Sequence, residues 1–560
     1  MPQRNTPPVQ TDVGQKRHTL FNWQGFKRHV REDVVTRNFL VSMGLVFCLA
    51  GAAVAQPAER PVGKKLVDGQ AYVTLVRLSH QTNPADNGRL LIAFEENGME
   101  GIPIYESRDE GESWQLVTHA TDATRSDHAK CNLHWQPHLT EMPRTVGDLK
   151  AGTILLSASA VCNGDNGRMA SMQLQLYGST DQGRSWQYRS AIVDGTAALP
   201  VWEPHLLLLD DGRLVTYYSS EVHKQDGYNQ LLGHKVSTDQ GKSWGPEVYD
   251  TAFPGGVERP GMVITTRLPN GTYVYNYEAV QSSNNGQVHI KFSKDGLHWG
   301  APGDRGTPVV TQGGSYPISC PTVRWFPVGG PNGVVVVSSR GGAGGGDPAG
   351  RSFYWNNNNG VGPWWEIAAP VQKLMNNRSG WTQALMLKQD GSFLHITSSA
   401  SPDAPTNPSR NEILFATAKL NFNRYEAESA ARQGSSVMRD PSMSNGAKAR
   451  LAAKDIGRLT FRIHVAKEGA YRLALNYGDI GFTATPRLLA NGKSLSGATQ
   501  PVTLDPAIAA VRARDLGTRA SGERNILSAL TPLKAGDNVI EILGGSYALD
   551  IDYMEITPAQ

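Results

Sequence analysis

Two glutamates in aromatic settings are the residues of this 560-residue chain best suited to chemistry. Glu203 stands in Trp202-Glu203-Pro204, and Glu278 closes Tyr275-Asn276-Tyr277-Glu278. An isolated glutamate in a strand is ordinarily a solvated surface charge. Rings on either side change that expectation: they desolvate the carboxyl, raise its pKa and offer flat faces to a sugar. A pair of such carboxylates suits general acid–base or nucleophilic work on a glycosidic bond.

Both belong to rings of repeated positions. A residue–proline step recurs in Gln136-Pro137-His138-Leu139, Glu203-Pro204-His205-Leu206, Arg259-Pro260-Gly261-Met262 and Cys320-Pro321-Thr322-Val323. Proline at a strand start leaves the preceding residue extended. Repetition then predicts Gln136, Glu203, Arg259 and Cys320 at equivalent points of one rim, with Gly380-Trp381-Thr382-Gln383 in the same role. A second ring lies seven residues after a recurring turn glycine: Glu95, Ser159, Ser219, Glu278, Arg340 and Ser398.

Those turn glycines fall at 88, 152, 212, 271, 333 and 391, at intervals of 58 to 64 residues, each before an apolar strand. About sixty residues accommodate four short strands and their loops. Six such units predict an all-β fold, a six-bladed β-propeller, rather than a pair of β-sandwiches. A second repeat, Ser-x-Asp-x-Gly-x-x-Trp, starts at Ser107, Ser179 and Ser237 and returns, one residue shorter, at Ser293. Its Ser and Asp suit bonds to turn amides, its Gly a positive φ, and its Trp an apolar anchor. Asn359 to Trp364 reads as a decayed copy.

The four copies resemble the Asp-boxes of sialidase-like propellers, over residues 66–420, which implies a structural role away from the active-site mouth. Gln136 to Leu139, Trp202-Glu203-Pro204, Tyr217 to Glu221 and Tyr277-Glu278 resemble the exo-α-1,5-L-arabinanases of glycoside hydrolase family 93. That resemblance implies a retaining mechanism, with Glu203 as acid/base and Glu278 as nucleophile, and no cofactor for catalysis. The substrate-binding candidates are Arg77, Gln136, His138, Trp202, His205, Arg259, Tyr277, Arg340 and Trp381. Sialidases carry an Arg-Ile-Pro in the first blade, and here Arg77-Leu78-Ser79 lacks the proline. Arg259, Arg324, Arg340 and Arg378 keep a carboxylate clamp available. The alternatives are therefore a glycosidase on acidic sugars and a non-catalytic sugar-binding propeller.

From Asn423 the composition changes to a second β domain, a β-sandwich over 423–560 that resembles carbohydrate-binding modules of families 6 and 35. The resemblance implies a structural Ca²⁺ held by Glu426, Glu428 and Asp552, whose oxygen ligands suit that ion. The segment has no Trp, so a ligand face there rests on Tyr477 or Tyr547.

Residues 1–55 read as a leader ending in a signal peptide: Phe39 to Ala55 is apolar, follows Arg37 and closes on Ala53-Val54-Ala55. A secreted or periplasmic protein is expected. Residues 1–55 carry seven Lys/Arg and three Asp/Glu; without them 47 basic residues face 48 acidic ones. Near-neutrality gives nucleic acid no electrostatic hold. A monomer acting on poly- or oligosaccharide is expected, with no membrane partner once the signal is removed. In an oxidising compartment Cys131 and Cys162 suit a disulfide, leaving Cys320 as a buried thiol. His134 and His138, on a strand, are too far apart to share a metal.

Overall fold

The structure is a computed structural model that describes residues 61–454, 456–479, 486–501 and 524–559. The leader and signal sequence lie outside the described residues. Ala58–Gln560 form one compact unit. Six antiparallel blades follow one another, five of four strands and the fourth of six, and the sixth is closed by the N-terminal strand Lys64–Asp68 pairing with Glu412–Ala418. That pairing joins first and last segments of the propeller, so the ring is sealed by hydrogen bonds rather than by a covalent link.

The predicted glycine turns lead into the second strand of each blade: Leu90–Glu95, Ile154–Asn163, Leu214–Ser220, Tyr273–Val280, Val334–Ser338 and Phe393–Ser399. These strands are almost wholly buried, because they pack against the neighbouring blades on both faces. Blade 4 gains extra strands, Thr307–Pro308, Tyr316–Ile318 and Gly341–Ala343.

The Ser-x-Asp repeats fasten blade to blade. In the first, the Ser107 hydroxyl donates to Asp109 at 2.8 Å and accepts from Gly111 N at 2.9 Å, while Ser113 N donates to Asp109 at 2.9 Å. The box glycines, all at positive φ, abut the preceding blade: Gly111 meets Leu394, Gly183 Leu91, Gly241 Leu176 and Gly296 Leu209. The decayed copy does likewise, Gly360 against Phe292 and Ile290, with Asn356 Oδ1 accepting from Gly360 N in place of the serine hydroxyl.

Past residue 423 two sheets face one another. One carries Arg458–Val465, Gly536–Leu543 and Arg487–Ala490, and the other Gly469–Asp479, Leu549–Pro558 and Ala447–Leu451. Alternating inward residues such as Leu459, Phe461, Ile463, Leu473, Leu475, Ile540 and Ile542 form the core. This core is continuous with that of blade 5: Trp365 stacks on Phe461 at 5.7 Å and packs edge-on to Tyr425 at 4.9 Å. Tyr477 is buried in it, which corrects its expected place on a ligand face; Tyr547 is exposed. Cys131 and Cys162 sit opposite one another in blade 2 and are joined as a disulfide, Cα–Cα 4.1 Å.

Candidate active site

Non-glycine residues at positive φ recur in the innermost strand of blades 1 to 4, at Tyr72, Gln136, Glu203 and Met262, and just before that strand in blades 5 and 6, at Ser319, Cys320 and Thr382. Sheet register slips at these points, between Trp135 and His138, Trp202 and His205, and Gly261 and Ile264. In blades 1 to 4 each is a bulge that turns a peptide toward the channel. Strain of roughly 1–3 kcal/mol per residue persists only where surroundings over-determine it.

The bulges explain why acidic side chains gather on the axis. A peptide N–H released from the ladder needs another acceptor, and the preceding blade supplies it. Gln136 N donates to Glu95 Oε1 at 3.2 Å, Glu203 N to Gln136 Oε1 at 3.1 Å, Met262 N to Glu203 Oε2 at 2.9 Å, and Cys320 N to Glu278 Oε2 at 2.7 Å. Gly261 pairs directly with Glu278, and Met262 N bonds Glu203, so the two glutamates flank a single peptide.

Above these groups opens a cavity of about 480 Å³. Trp135 and Trp202 (ring centroids 6.0 Å apart) and Tyr72 and Trp381 (5.6 Å) contribute its aromatic surfaces. Arg259, Arg340 and Arg378 join Glu95, Glu203 and Glu278 in the lining. Arg259 donates to Glu221 (2.6 Å) and Gln230 (2.7 Å), Arg340 to Asn376 O (2.8 Å), and Arg378 lies 3.8 Å from Glu95.

Glu203 and Glu278 are part-buried and line the cavity. Glu203 accepts from Ser219 Oγ (2.6 Å), Met262 N (2.9 Å) and Tyr72 Oη (3.1 Å). Burial raises its carboxyl above the ordinary range, and these bonds and Arg259 oppose the rise. Glu278 has one such bond, and burial, reinforced by the nearby charge of Glu203, pushes it up to about 7. Glu95 is pushed up to about 8 by burial, against the pull of Arg378 and the Gln136 amide.

Of the sequence-predicted residues, Glu203, Glu278, Gln136, Trp202, Arg259, Arg340 and Trp381 meet at this cavity. Four do not. Arg77 ends its strand on the far side of the blade, in a bidentate pair with Glu110 of the first box. Tyr277 points away from Glu278 because neighbours in a strand face opposite ways; it is buried and donates to Arg305 O at 2.9 Å. His138 and His205 lie two residues past their bulges, below the cavity floor. The Arg259–Pro260 step is also not the equivalent of Glu203–Pro204. The bulge residue of blade 4 is Met262, three positions later, and Arg259 reaches the wall from the strand end.

Tyr72, Trp135, Gln230 and Asn377 were not foreseen as lining residues. Tyr72 was detectable only through its blade-to-blade equivalence with Gln136 and Glu203, which no proline marks. Glu95 was visible as the first member of the turn-glycine ring.

In the second domain, Ser444 Oγ donates to Glu426 Oε2 (2.5 Å) and Asp552 Oδ1 (3.0 Å), and Asn445 Nδ2 to Glu428 Oε1 (2.8 Å). All three carboxylates are buried. Burial and mutual repulsion raise Glu426 well above its usual range, and burial with Glu366 of blade 5 pushes Glu428 up to about 8. Glu428 Oε2 has no hydrogen-bond partner. Their oxygens are of the type a hard divalent cation takes, but the three do not converge within 4.8 Å of one another.

Residues 88–324 match the BNR repeat-like domain. Among solved structures, the chain is similar to the α-L-arabinanase of Penicillium chrysogenum complexed with arabinobiose (28% identity, TM-score 0.53, covering 64% of this chain and 99% of that one). It is similar to the GH93 α-L-arabinofuranosidase of Fusarium graminearum with arabinobiose (25% identity, TM-score 0.54, covering 64% and 97%). The same Fusarium enzyme in complex with an iminosugar inhibitor gives 25% identity and TM-score 0.53, covering 64% and 98%. No curated protein matches the chain. The propeller is of the BNR-repeat, sialidase-like kind.

Proposed function

We propose that this protein is a retaining exo-glycosidase that releases short arabinose units from the chain ends of α-1,5-linked arabinan. The observation that carries the reading is the pair Glu203 and Glu278 on either side of the Gly261–Met262 peptide, beneath aromatic walls. A cavity of about 480 Å³ suits one or two sugar rings better than an extended chain, which favours attack at an end. Likeness to enzymes whose structures hold arabinobiose supports arabinose as the sugar.

Hydrogen bonding supports a division of roles opposite to the one that family resemblance implied. Three donors favour the ionised form of Glu203, whereas Glu278, with one donor and a charge beside it, holds its proton. Glu203 then attacks the anomeric carbon as the leaving oxygen takes the proton of Glu278. Glu278, now a carboxylate, removes a proton from the water that releases the sugar from Glu203. Trp202 and Trp381 hold the sugar, and Arg259, Arg340 and Gln136 fix its hydroxyls.

Export is supported by the signal-like segment and by the Cys131–Cys162 disulfide. The second domain is read as a carbohydrate-binding module whose Glu426, Glu428 and Asp552 hold a structural Ca²⁺.

A second reading, an acidic sugar as substrate, is favoured by the three arginines of the lining and by the Tyr72–Glu203 hydrogen bond. Incubation with linear arabinan and with sialyl-lactose separates the readings. Release of arabinose or arabinobiose, with retained configuration by NMR, is expected. Release of the acidic sugar alone overturns it in favour of the second reading, and binding without turnover marks a lectin.

A further inference from the structure

Beneath the catalytic floor the channel contains a second, smaller cavity of about 40 Å³, with room for a water-sized species or two and none for a sugar. His138 of blade 2, His205 of blade 3 and Arg324 of blade 5 reach it. The hydrogen bonds of the two imidazoles define their tautomers. Leu206 N donates to His138 Nδ1 at 3.1 Å, so in the neutral ring the proton sits on Nε2. Thr265 N donates to His205 Nε2 at 3.1 Å, so that ring carries its proton on Nδ1. His205 Nδ1 is buried without a partner. The rings are neutral neighbours, centroids 4.2 Å apart, held so by burial and by the charge of Arg324.

Arg324 makes no hydrogen bond and no ion pair among the described residues, although burial alone lowers its pKa. Around it the hydroxyls of Thr74 and Thr322 already accept from Leu139 N and Gln383 N, which leaves their protons to give. Gln383 spends its amide on Ser339 O and its oxygen on His395. The one carboxylate in the lining is Glu203, whose oxygens are taken by Tyr72, Ser219 and Met262. The side chains of the cavity thus converge a cation and several N–H and O–H donors, and its one carboxylate has no free oxygen. Arg324 is part-buried and opens onto this cavity, and a partly desolvated guanidinium without a counter-charge favours an anion beside it.

We propose that this cavity binds one small inorganic anion of halide size on the propeller axis, held by Arg324 and His138 Nε2–H beside the Thr74 and Thr322 hydroxyls. The anion ties blades 1, 2 and 5 together from the inside, and it closes the channel behind the active site. It is independent of which sugar the cavity above accepts.

The test uses the full chain in buffers of constant ionic strength, with chloride or bromide exchanged for gluconate, an anion too large to enter. Halide is expected to raise the melting temperature saturably, by about 2 °C or more. Arg324→Met is expected to remove that response. Crystals grown in bromide should show an anomalous peak between His138 and Arg324. No halide-specific shift in the wild type, or water alone at that position in bromide crystals, overturns the proposal. If Arg324→Met does not fold, the bromide peak in the wild type decides.

Discussion

At the scale of residues, the proposed mechanism requires two nearby carboxyls in different protonation states. Tyr72 contributes one of three hydrogen bonds to Glu203. Such a bond to a charged group is worth about 1.5–3 kcal/mol. Tyr72→Phe is expected to cut kcat by about 10- to 100-fold and to move the acidic limb of the pH–rate profile upward, since Glu203 then ionises less readily. A loss of rate with an unmoved limb would show that Tyr72 acts otherwise. The alkaline limb of kcat/KM should fall as pH rises through about 7, where Glu278 loses its proton. Glu203→Gln and Glu278→Gln should each abolish arabinan turnover in a folded protein. An aryl arabinoside with a good leaving group separates the roles: its glycosylation step should survive Glu278→Gln and vanish in Glu203→Gln.

At the scale of elements, the boxes act as buckles between blades. Gly241 sits at φ 81° with its Cα against Leu176 of the preceding blade. A methyl group there meets both a backbone penalty and a packed side chain. Gly241→Ala should lower stability by about 1–3 kcal/mol without changing KM, read by denaturant unfolding and kinetics together. Unchanged stability would mean that the box is a passive turn. The bulges work the other way. Their cost is local, and each releases the N–H that an acid or amide of the preceding blade accepts.

At the scale of the whole molecule, stability should follow both pH and calcium. Glu95 and Glu278 have folded-state pKa values near 8 and 7, above the ordinary 4.5. The folded state therefore holds protons that the unfolded chain gives up. Their stabilising contribution is complete below about pH 4.5 and is lost as pH rises through 7 to 8. Melting temperature should fall between pH 5 and 8.5, and Glu95→Gln should flatten that fall. Calcium addresses the other domain. Because the sandwich core continues into blade 5, the full chain is the material to melt. Chelator should lower its melting temperature and Ca²⁺ restore it, with Glu428→Gln insensitive to both. An unchanged curve in excess chelator, with calcium verified absent, would dismiss the metal site.

Local chemistry that recurs was readable from sequence alone. Glycines at regular intervals and the Ser-x-Asp-x-Gly-x-x-Trp turns determined the propeller and its blade number, because each repeat is a self-contained hairpin signal. The glycine periodicity put Glu95, Glu278 and Arg340 in one ring before any coordinates, and the residue–proline step put Glu203 in another. The tertiary structure decided what depends on register. A bulge moves a residue from one face to the other, which put Met262 rather than Arg259 on the ring and Tyr72 beside Glu203. Strand alternation buried Tyr277, and an outer-turn partner claimed Arg77. Most hydrogen bonds to the two glutamates come from other blades, from Tyr72, Met262 N and Cys320 N, and no spacing within one blade encodes those.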